Sequence, residues 1–143
     1  MTDLETAVSC LDGHTLALCK NGEVLTSDLR GVAPMVDFLL KGRDLTGYSA
    51  ADRVVGKAAA MLFVKAKIRA VFAQTISVPA EAFLRAHGVE VRYENRTERI
   101  RNRAGTGFCP MESVVADEDD VERAFSLILR KSEEMRSHGE KGR

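Results

Sequence analysis

The stretch from Ser49 to Lys65 decides the fold class, and it is SAADRVVGKAAAMLFVK. If Arg53–Lys67 is helical, its apolar side chains occupy nearly every face, and a helix that is apolar all round is normally buried. The short segment Leu45–Ser49 before it is predicted to be a strand. The stretch therefore predicts a strand that leads into a buried central helix.

The residues after this helix continue the alternation of strands and helices. Ala70–Ala73 is predicted to be a brief strand, Val78–His87 a helix, and Val89–Glu94 a strand that begins after the break at Gly88. A β-α-β-α-β series favours a largely parallel sheet with right-handed crossovers.

The N-terminal region is predicted to hold an antiparallel hairpin between two helices. Thr2-Asp3-Leu4-Glu5 has a capping-box pattern and begins a short amphipathic helix. Asn21-Gly22 supplies the positive φ angles of a tight turn between the strands Thr15–Cys19 and Glu23–Ser27. Val32–Leu40 carries apolar residues on one face and is predicted to be the second helix.

The C-terminal region is predicted to be a loop followed by two helices. Asn95–Gly107 is polar and arginine-rich, and we expect a mobile loop or irregular extension there. Cys109-Pro110-Met111-Glu112 is predicted to begin a short helix, because proline suits the first turn. Asp117–Asp120 is an acidic cap for a last helix that reaches about Met135, and residues 138–143 are predicted to be disordered.

Composition favours one domain over residues 1–143. The 143 residues are 45% hydrophobic and 29% charged, which suits a single globular core. The predicted fold class is α/β, a three-layer α/β/α arrangement with a mixed sheet and an N-terminal antiparallel hairpin. Lys plus Arg and Asp plus Glu number 21 each, so the whole chain has no field that attracts nucleic acid or an anionic membrane.

Cysteine usage and hydropathy predict a cytoplasmic protein. The three cysteines, Cys10, Cys19 and Cys109, are odd in number and include no C-x-x-C pair, which is typical of reduced thiols. The longest nearly apolar segment, Ala58–Val64, is too short to span a bilayer, and we expect no signal segment.

The middle of the chain resembles the cytidine deaminase superfamily. Ser49–Ala59 is similar to the region where a strand leads to an alanine-rich helix at the active site. Ala82–Val91 is similar to the third helix and its step into the fourth strand. The resemblance covers roughly residues 2–94 and implies a deaminase-like fold.

The zinc site of that superfamily is not matched in this chain. Its helix begins with H-x-E, where this sequence has Asp52-Arg53-Val54. Its P-C-x-x-C motif corresponds to Gln74–Pro79. The resemblance therefore implies neither bound zinc nor zinc-dependent deamination, and we predict no metal and no cofactor.

A second resemblance, to domain of unknown function 1893, extends over most of the chain. It depends on D-x-x-x-G-K-A-A-A at Asp52–Ala60 and on G-x-G-x-C-P-M-E at Gly105–Glu112. This family is placed within the deaminase-like fold. Membership implies a fold and no known reaction.

Lys57 is the first candidate functional residue. A lysine near a helix N-terminus opposes the macrodipole and requires an anion, which Asp52, Glu112 or a bound ligand can supply. In the alternative interpretation, its ammonium group extends along the helix to water.

Asp52 and Gly56 flank the predicted start of the same helix. Asp52 is expected either to cap the helix or to contact a ligand where strand gives way to helix. Gly56 inside a helix costs about 1 kcal/mol relative to alanine, which indicates close approach of another backbone, a ligand or the packed sheet.

Cys109 and Glu112 are candidates from the following loop. A cysteine at a helix N-terminus has a lowered thiol pKa, although cysteine more often packs in a core. Gly105-Thr106-Gly107 can present backbone N–H groups to a phosphate. Ser49 and Gly56 complete the candidate ligand-binding set. The arginines between Arg96 and Arg103 are interpreted as a solvated edge, so nucleic acid is disfavoured.

The leading functional hypothesis is a domain without zinc that binds a small anionic or nucleotide-like ligand at the N-terminus of the central helix. The candidate catalytic residues are Asp52, Lys57, Cys109 and Glu112, and catalysis requires them to converge on one cavity. The alternative is a non-catalytic interaction or regulatory module. The expected partner is a small molecule, and the sequence permits a homo-oligomer.

Overall fold

The structure is a computed structural model, and it describes residues 1–100 and 109–141. In chain order the elements are α1 (Asp3–Cys10), β1 (Leu16–Lys20), β2 (Glu23–Ser27), α2 (Ala33–Leu40), β3 (Ser49–Val55), α3 (Lys57–Lys65), β4 (Ala70–Ser77), α4 (Val78–Ala86), β5 (Glu90–Thr97), α5 (Pro110–Val115) and α6 (Val121–Lys141).

The strands in the described residues form one mixed sheet in the order β2-β1-β3-β4-β5. Strand β1 is antiparallel to both β2 and β3, whereas β3, β4 and β5 are mutually parallel. The turn between β1 and β2 contains Asn21 at φ 50° and Gly22 at φ 86°, the left-handed angles that this tight turn requires. The predicted hairpin and parallel layer are both confirmed.

Helices cover both faces of the sheet. On one face α1 packs against β1 and β3, and a small cluster forms from Ala7, Leu11, Ala17, Cys19 and Ala51. On the other face lies the main core, where α3 is surrounded by α2, α4, α5 and α6. Every residue of α3 from Ala58 to Phe63 is buried. The predicted three-layer α/β/α class with a buried central helix is confirmed.

The boundary between β3 and α3 differs from the predicted one. The segment predicted as strand, Leu45–Ser49, contains a turn at residues 46–47, and β3 begins at Ser49 and continues to Val55. Helix α3 begins at Lys57, four residues after the predicted start at Arg53. A central strand covered on both faces is as continuously apolar as a buried helix, so the apolar run did not mark the boundary.

Three other elements are longer than predicted. Strand β4 continues past Ala73 to Ser77, because the polar residues there still pair with β3 and β5 through their backbone. Strand β5 continues to Thr97, into the segment predicted as loop. Helix α6 extends through Lys141, beyond Met135 and into the residues predicted to be disordered, since each added residue contributes one further backbone hydrogen bond to an existing helix.

No helix in the described ranges combines the length and the apolarity that are needed to cross a bilayer. The cysteines Cys10, Cys19 and Cys109 all carry free thiols.

Candidate functional site

The N-terminus of α3 is capped by a side chain from far along the chain. Glu112 on α5 accepts the backbone N–H of Lys57 through Oε1 at 2.6 Å and that of Ala58 through Oε2 at 2.8 Å. The first N–H groups of a helix have no partner within the helix, and a carboxylate there is also favoured by the helix dipole. Glu112 thus satisfies two donors and supplies the negative charge that α3 favours at this end.

Gly56 makes this approach possible. It is the N-cap residue of α3, at φ −96° and ψ −179°, and not an interior helical residue as predicted. A Cβ atom at Gly56 would lie 2.5 Å from Cδ of Glu112 and 2.8 Å from its Oε2. The close approach expected at this glycine is therefore made by the Glu112 carboxylate, and its backbone angles are open to other residues.

Lys57 is oriented by the connection between α5 and α6. Its side chain is only 12% exposed, and Nζ donates a hydrogen bond to the carbonyl of Ala116 at 3.0 Å. The Oδ1 atom of Asp119 lies 3.7 Å from the same Nζ. Lys57 thus contacts the C-terminal segment twice, with its backbone at Glu112 and with its ammonium group near Ala116.

A cavity of about 440 Å³ opens beside this junction. Its polar lining among the described residues is Lys57, Ser77, Arg99, Glu112 and Ser113. Its apolar lining is Pro79, Ile100 and Ala116. The cavity therefore joins the starts of α3, α4 and α5 with the segment after β5.

The start of α4 contributes residues that the sequence analysis did not select. Ser77 is 1% exposed and its Oγ accepts the backbone N–H of Ala80 at 3.2 Å, which caps α4. Pro79 follows in the first turn. The sequence did contain a signal for these residues. The stretch Gln74–Pro79 corresponds to the P-C-x-x-C motif in the resemblance to deaminases.

Arg99 and Ile100 reach the cavity through a backbone contact with the start of α5. The N–H of Cys109 donates to the carbonyl of Ile100 at 3.1 Å. This bond holds the chain after β5 beside Glu112 and Ser113. From sequence alone, these residues were predicted to lie in a solvated arginine-rich loop, and only the fold places two of them in the lining.

Asp52 is not the cap of α3. It lies within β3, paired with Leu16 of β1 and Ala73 of β4, and its Oδ1 accepts the N–H of Arg53 at 2.7 Å. Burial raises the pKa of this carboxyl to about 7, against a smaller opposing effect of the backbone N–H groups of Arg53 and Val54. Asp52 is not among the described residues that line the cavity.

The remaining candidates are placed as follows. Cys109 is the N-cap of α5 with a half-buried side chain, and it is not in the described lining. Ser49 is buried at the first position of β3, at the opposite end of the strand from Gly56. Gly105, Thr106 and Gly107 lie outside the described residues. Of the four candidate catalytic residues, the cavity brings together Lys57 and Glu112.

In the part of the chain that the structure describes, no three His, Cys, Asp or Glu side chains are grouped closely enough to hold a metal ion.

The chain belongs to the family described as Domain of unknown function (DUF1893), whose model matches residues 8–131. A DUF1893 protein of Thermotoga maritima, known from a crystal structure, is 27% identical and superposes with a TM-score of 0.82. The match covers 92% of this chain and 91% of that chain. No curated protein matches the chain in sequence.

Two deaminase structures are similar over part of the chain. One is a diaminohydroxyphosphoribosylaminopyrimidine deaminase/5-amino-6-(5-phosphoribosylamino)uracil reductase of Thermotoga maritima, at 18% identity and a TM-score of 0.42, covering 63% of this chain and 34% of that chain. The other is the dCMP deaminase of the cyanophage S-TIM5, at 14% identity and a TM-score of 0.44, covering 66% and 93%. Both similarities are too low to transfer an activity to this chain.

Proposed function

We propose that this DUF1893 domain binds a small anionic ligand in the cavity beside the N-termini of α3 and α4. The observation that carries the proposal is that Lys57 and Arg99 both line a cavity of about 440 Å³. Ligand pockets in proteins span about 300–1,000 Å³ and combine apolar walls with a few polar groups. The mixture of Pro79, Ile100 and Ala116 with charged and hydroxyl side chains fits this description.

Two cationic side chains line the cavity together with the Glu112 carboxylate. This carboxylate is held by two N–H groups at the start of α3, where the positive end of the helix offsets its charge. Lys57, whose Nζ also lies 3.7 Å from Asp119, and Arg99 are the cations of the described lining, and α4 also begins there. A phosphate or carboxylate of the ligand is therefore expected between the Lys57 ammonium and Arg99.

Glu112 adds a requirement for a hydrogen-bond donor on the ligand. Each carboxylate oxygen accepts one backbone N–H, and a carboxylate oxygen has capacity for a second bond. A ligand N–H or O–H group can take that capacity at the cavity wall. A molecule with an anionic group and a donor group, as in a nucleotide, satisfies both sides.

Binding without catalysis is the function that the geometry supports best. Lys57 and Glu112 are the candidate catalytic residues in the described lining, and both hold the α3–α5 junction through hydrogen bonds. Acid-base or nucleophilic catalysis needs partners within hydrogen-bond reach of the reacting atom. Neither Asp52 nor Cys109 is among the described residues that line the cavity.

The proposal is tested by isothermal titration of the protein with inorganic phosphate. We expect saturable binding that weakens about tenfold or more in Lys57→Met, because a charged hydrogen-bond partner contributes about 1.5–3 kcal/mol. Lys41→Met is the matched control, since Lys41 is exposed at the C-terminal end of α2 and pairs with Asp37 outside the cavity.

Thermal unfolding of both variants checks that each is folded. Absence of saturable phosphate binding in the unmodified protein would contradict the proposal, and so would an equal loss in the two variants. Either result would favour the interaction or regulatory module.

A further inference from the structure

A second groove continues from the cavity on the other side of Lys57. It has a volume of about 300 Å³ and shares Lys57, Pro79 and Ala116 with the cavity. Its own residues are Ala82, Phe83 and Asp119. The two spaces therefore share a border, and the Lys57 side chain lies at it.

The wall of the groove is an apolar face of α4. Pro79, Ala82 and Phe83 are spaced at i, i+3 and i+4, so their side chains share one face of the helix. Pro79 and Ala82 are exposed, while Phe83 is 8% exposed and stacks on His87 with 4.2 Å between ring centroids. The exposed Pro79 and Ala82 thus form a small apolar surface beside the largely buried Phe83.

The charges around the groove differ from those of the cavity. Asp119 is its acidic group, with a side chain that is 91% exposed and 3.7 Å from the Lys57 Nζ. Among the described residues, Arg99 lines the cavity but not the groove. A second anionic group would meet Asp119 there, whereas a neutral ring would cover apolar surface.

We propose that the cavity and the groove form one site for an anionic molecule that carries a neutral aromatic ring. The anion lies in the cavity near Lys57 and Arg99, and the ring lies on the face formed by Pro79, Ala82 and Phe83. The proposal deepens the proposed function and rests on it, because the ring is placed by its attachment to the bound anion. An aryl phosphate is the simplest molecule of this class.

The experiment compares inorganic phosphate with phenyl phosphate by isothermal titration of the full chain. In the unmodified protein, phenyl phosphate is expected to bind about tenfold more tightly, because its ring removes apolar surface from water. In Ala82→Gln, we expect phenyl phosphate and inorganic phosphate to bind with about equal affinity, while the affinity for inorganic phosphate is unchanged. Glutamine is larger and uncharged, and it is a good helix former at this exposed position.

Ala86→Gln is the matched control, because Ala86 is exposed on the same helix and is not among the residues that line the groove. It is expected to keep the tenfold advantage. Equal affinities for the two probes in the unmodified protein would overturn the ring site and leave the anion site standing. An advantage that survives in Ala82→Gln would also overturn it, and binding of neither probe would overturn both proposals.

Discussion

Of two carboxylates near the start of the central helix, the one adjacent in sequence does not cap it and the one distant in sequence does. Asp52 lies only five residues before Lys57, yet it is buried in β3 and accepts the N–H of its neighbour Arg53. Glu112 is distant in sequence, yet it accepts the first two N–H groups of α3. The Asp52 carboxylate is therefore buried, although a carboxylate is more stable in water. The Glu112 carboxylate lies at a helix N-terminus, where its negative charge is favoured.

The difference shows that proximity in sequence does not decide which acid caps a helix. Gly56 ends an extended segment and has no side chain, so Glu112 can approach from another element. Asp52 is separated from that position because β3 continues for three residues after it. Removal of the carboxylate should thus have opposite consequences for stability at the two sites.

The largest expected effect is the pH dependence of Asp52→Asn. Burial raises the pKa of Asp52 in the folded state from an ordinary 3.8 to about 7. An acid whose pKa is raised by folding stabilises the protein fully below its unfolded pKa, and this contribution is lost as pH rises toward the folded pKa. Asparagine does not titrate, so from pH ~4 to pH ~8 the variant should gain on the order of 4 kcal/mol relative to the unmodified protein.

Chemical denaturation of both proteins across that pH range measures this gain. Asp117→Asn is the matched control for removal of an exposed carboxylate. A stability difference between Asp52→Asn and the unmodified protein that stays constant with pH would contradict the burial cost assigned to Asp52.

The second effect is the loss of the distant cap in Glu112→Ala. Two charge-assisted bonds to the N–H groups of Lys57 and Ala58 disappear, and we expect the free energy of unfolding to fall by about 2–3 kcal/mol at neutral pH. Glu133→Ala on the exposed side of α6 is the matched control and should change it by about 0.5 kcal/mol or less. If the two substitutions lower the free energy of unfolding equally, Glu112 does not cap α3.

A smaller effect is expected from Gly56→Ala, and it should depend on Glu112. The added Cβ would lie 2.5 Å from Cδ of Glu112, so the carboxylate must move and its bonds weaken, at a cost of about 1–2 kcal/mol. In the Glu112→Ala background the same substitution should cost about 0.5 kcal/mol or less. Urea denaturation of the four proteins gives this double-mutant cycle, and strictly additive costs would contradict the contact.

The sequence predicted the parts of the fold that local chemistry determines. Asn21-Gly22 marks the hairpin because few residues tolerate its backbone angles, and Thr2 with Glu5 forms the predicted capping box at α1. The start of α3 was misplaced because an apolar pair such as Val54 and Val55 suits a strand as well as a helix. That single boundary error made Asp52 a cap and Gly56 an interior helical residue.

The candidate site was predicted in part, and the missing part depends on tertiary contacts. Lys57 was selected because a lysine at a helix N-terminus needs an anion, and Glu112 was among the anions considered. Arg99 has no local feature that distinguishes it from the neighbouring arginines. Its place in the lining follows from the bond between Cys109 and Ile100, which no sequence pattern encodes.

The most direct test of which carboxylate caps α3 is the response of backbone amide resonances to two substitutions. In ¹⁵N–¹H spectra, Glu112→Gln is expected to shift the Lys57 and Ala58 amides and to leave the Arg53 amide in place. Asp52→Asn is expected to shift Arg53 and to leave Lys57 and Ala58 in place. If Asp52→Asn moves the Lys57 and Ala58 amides while Glu112→Gln does not, Asp52 caps α3 and the account given for Glu112 is wrong.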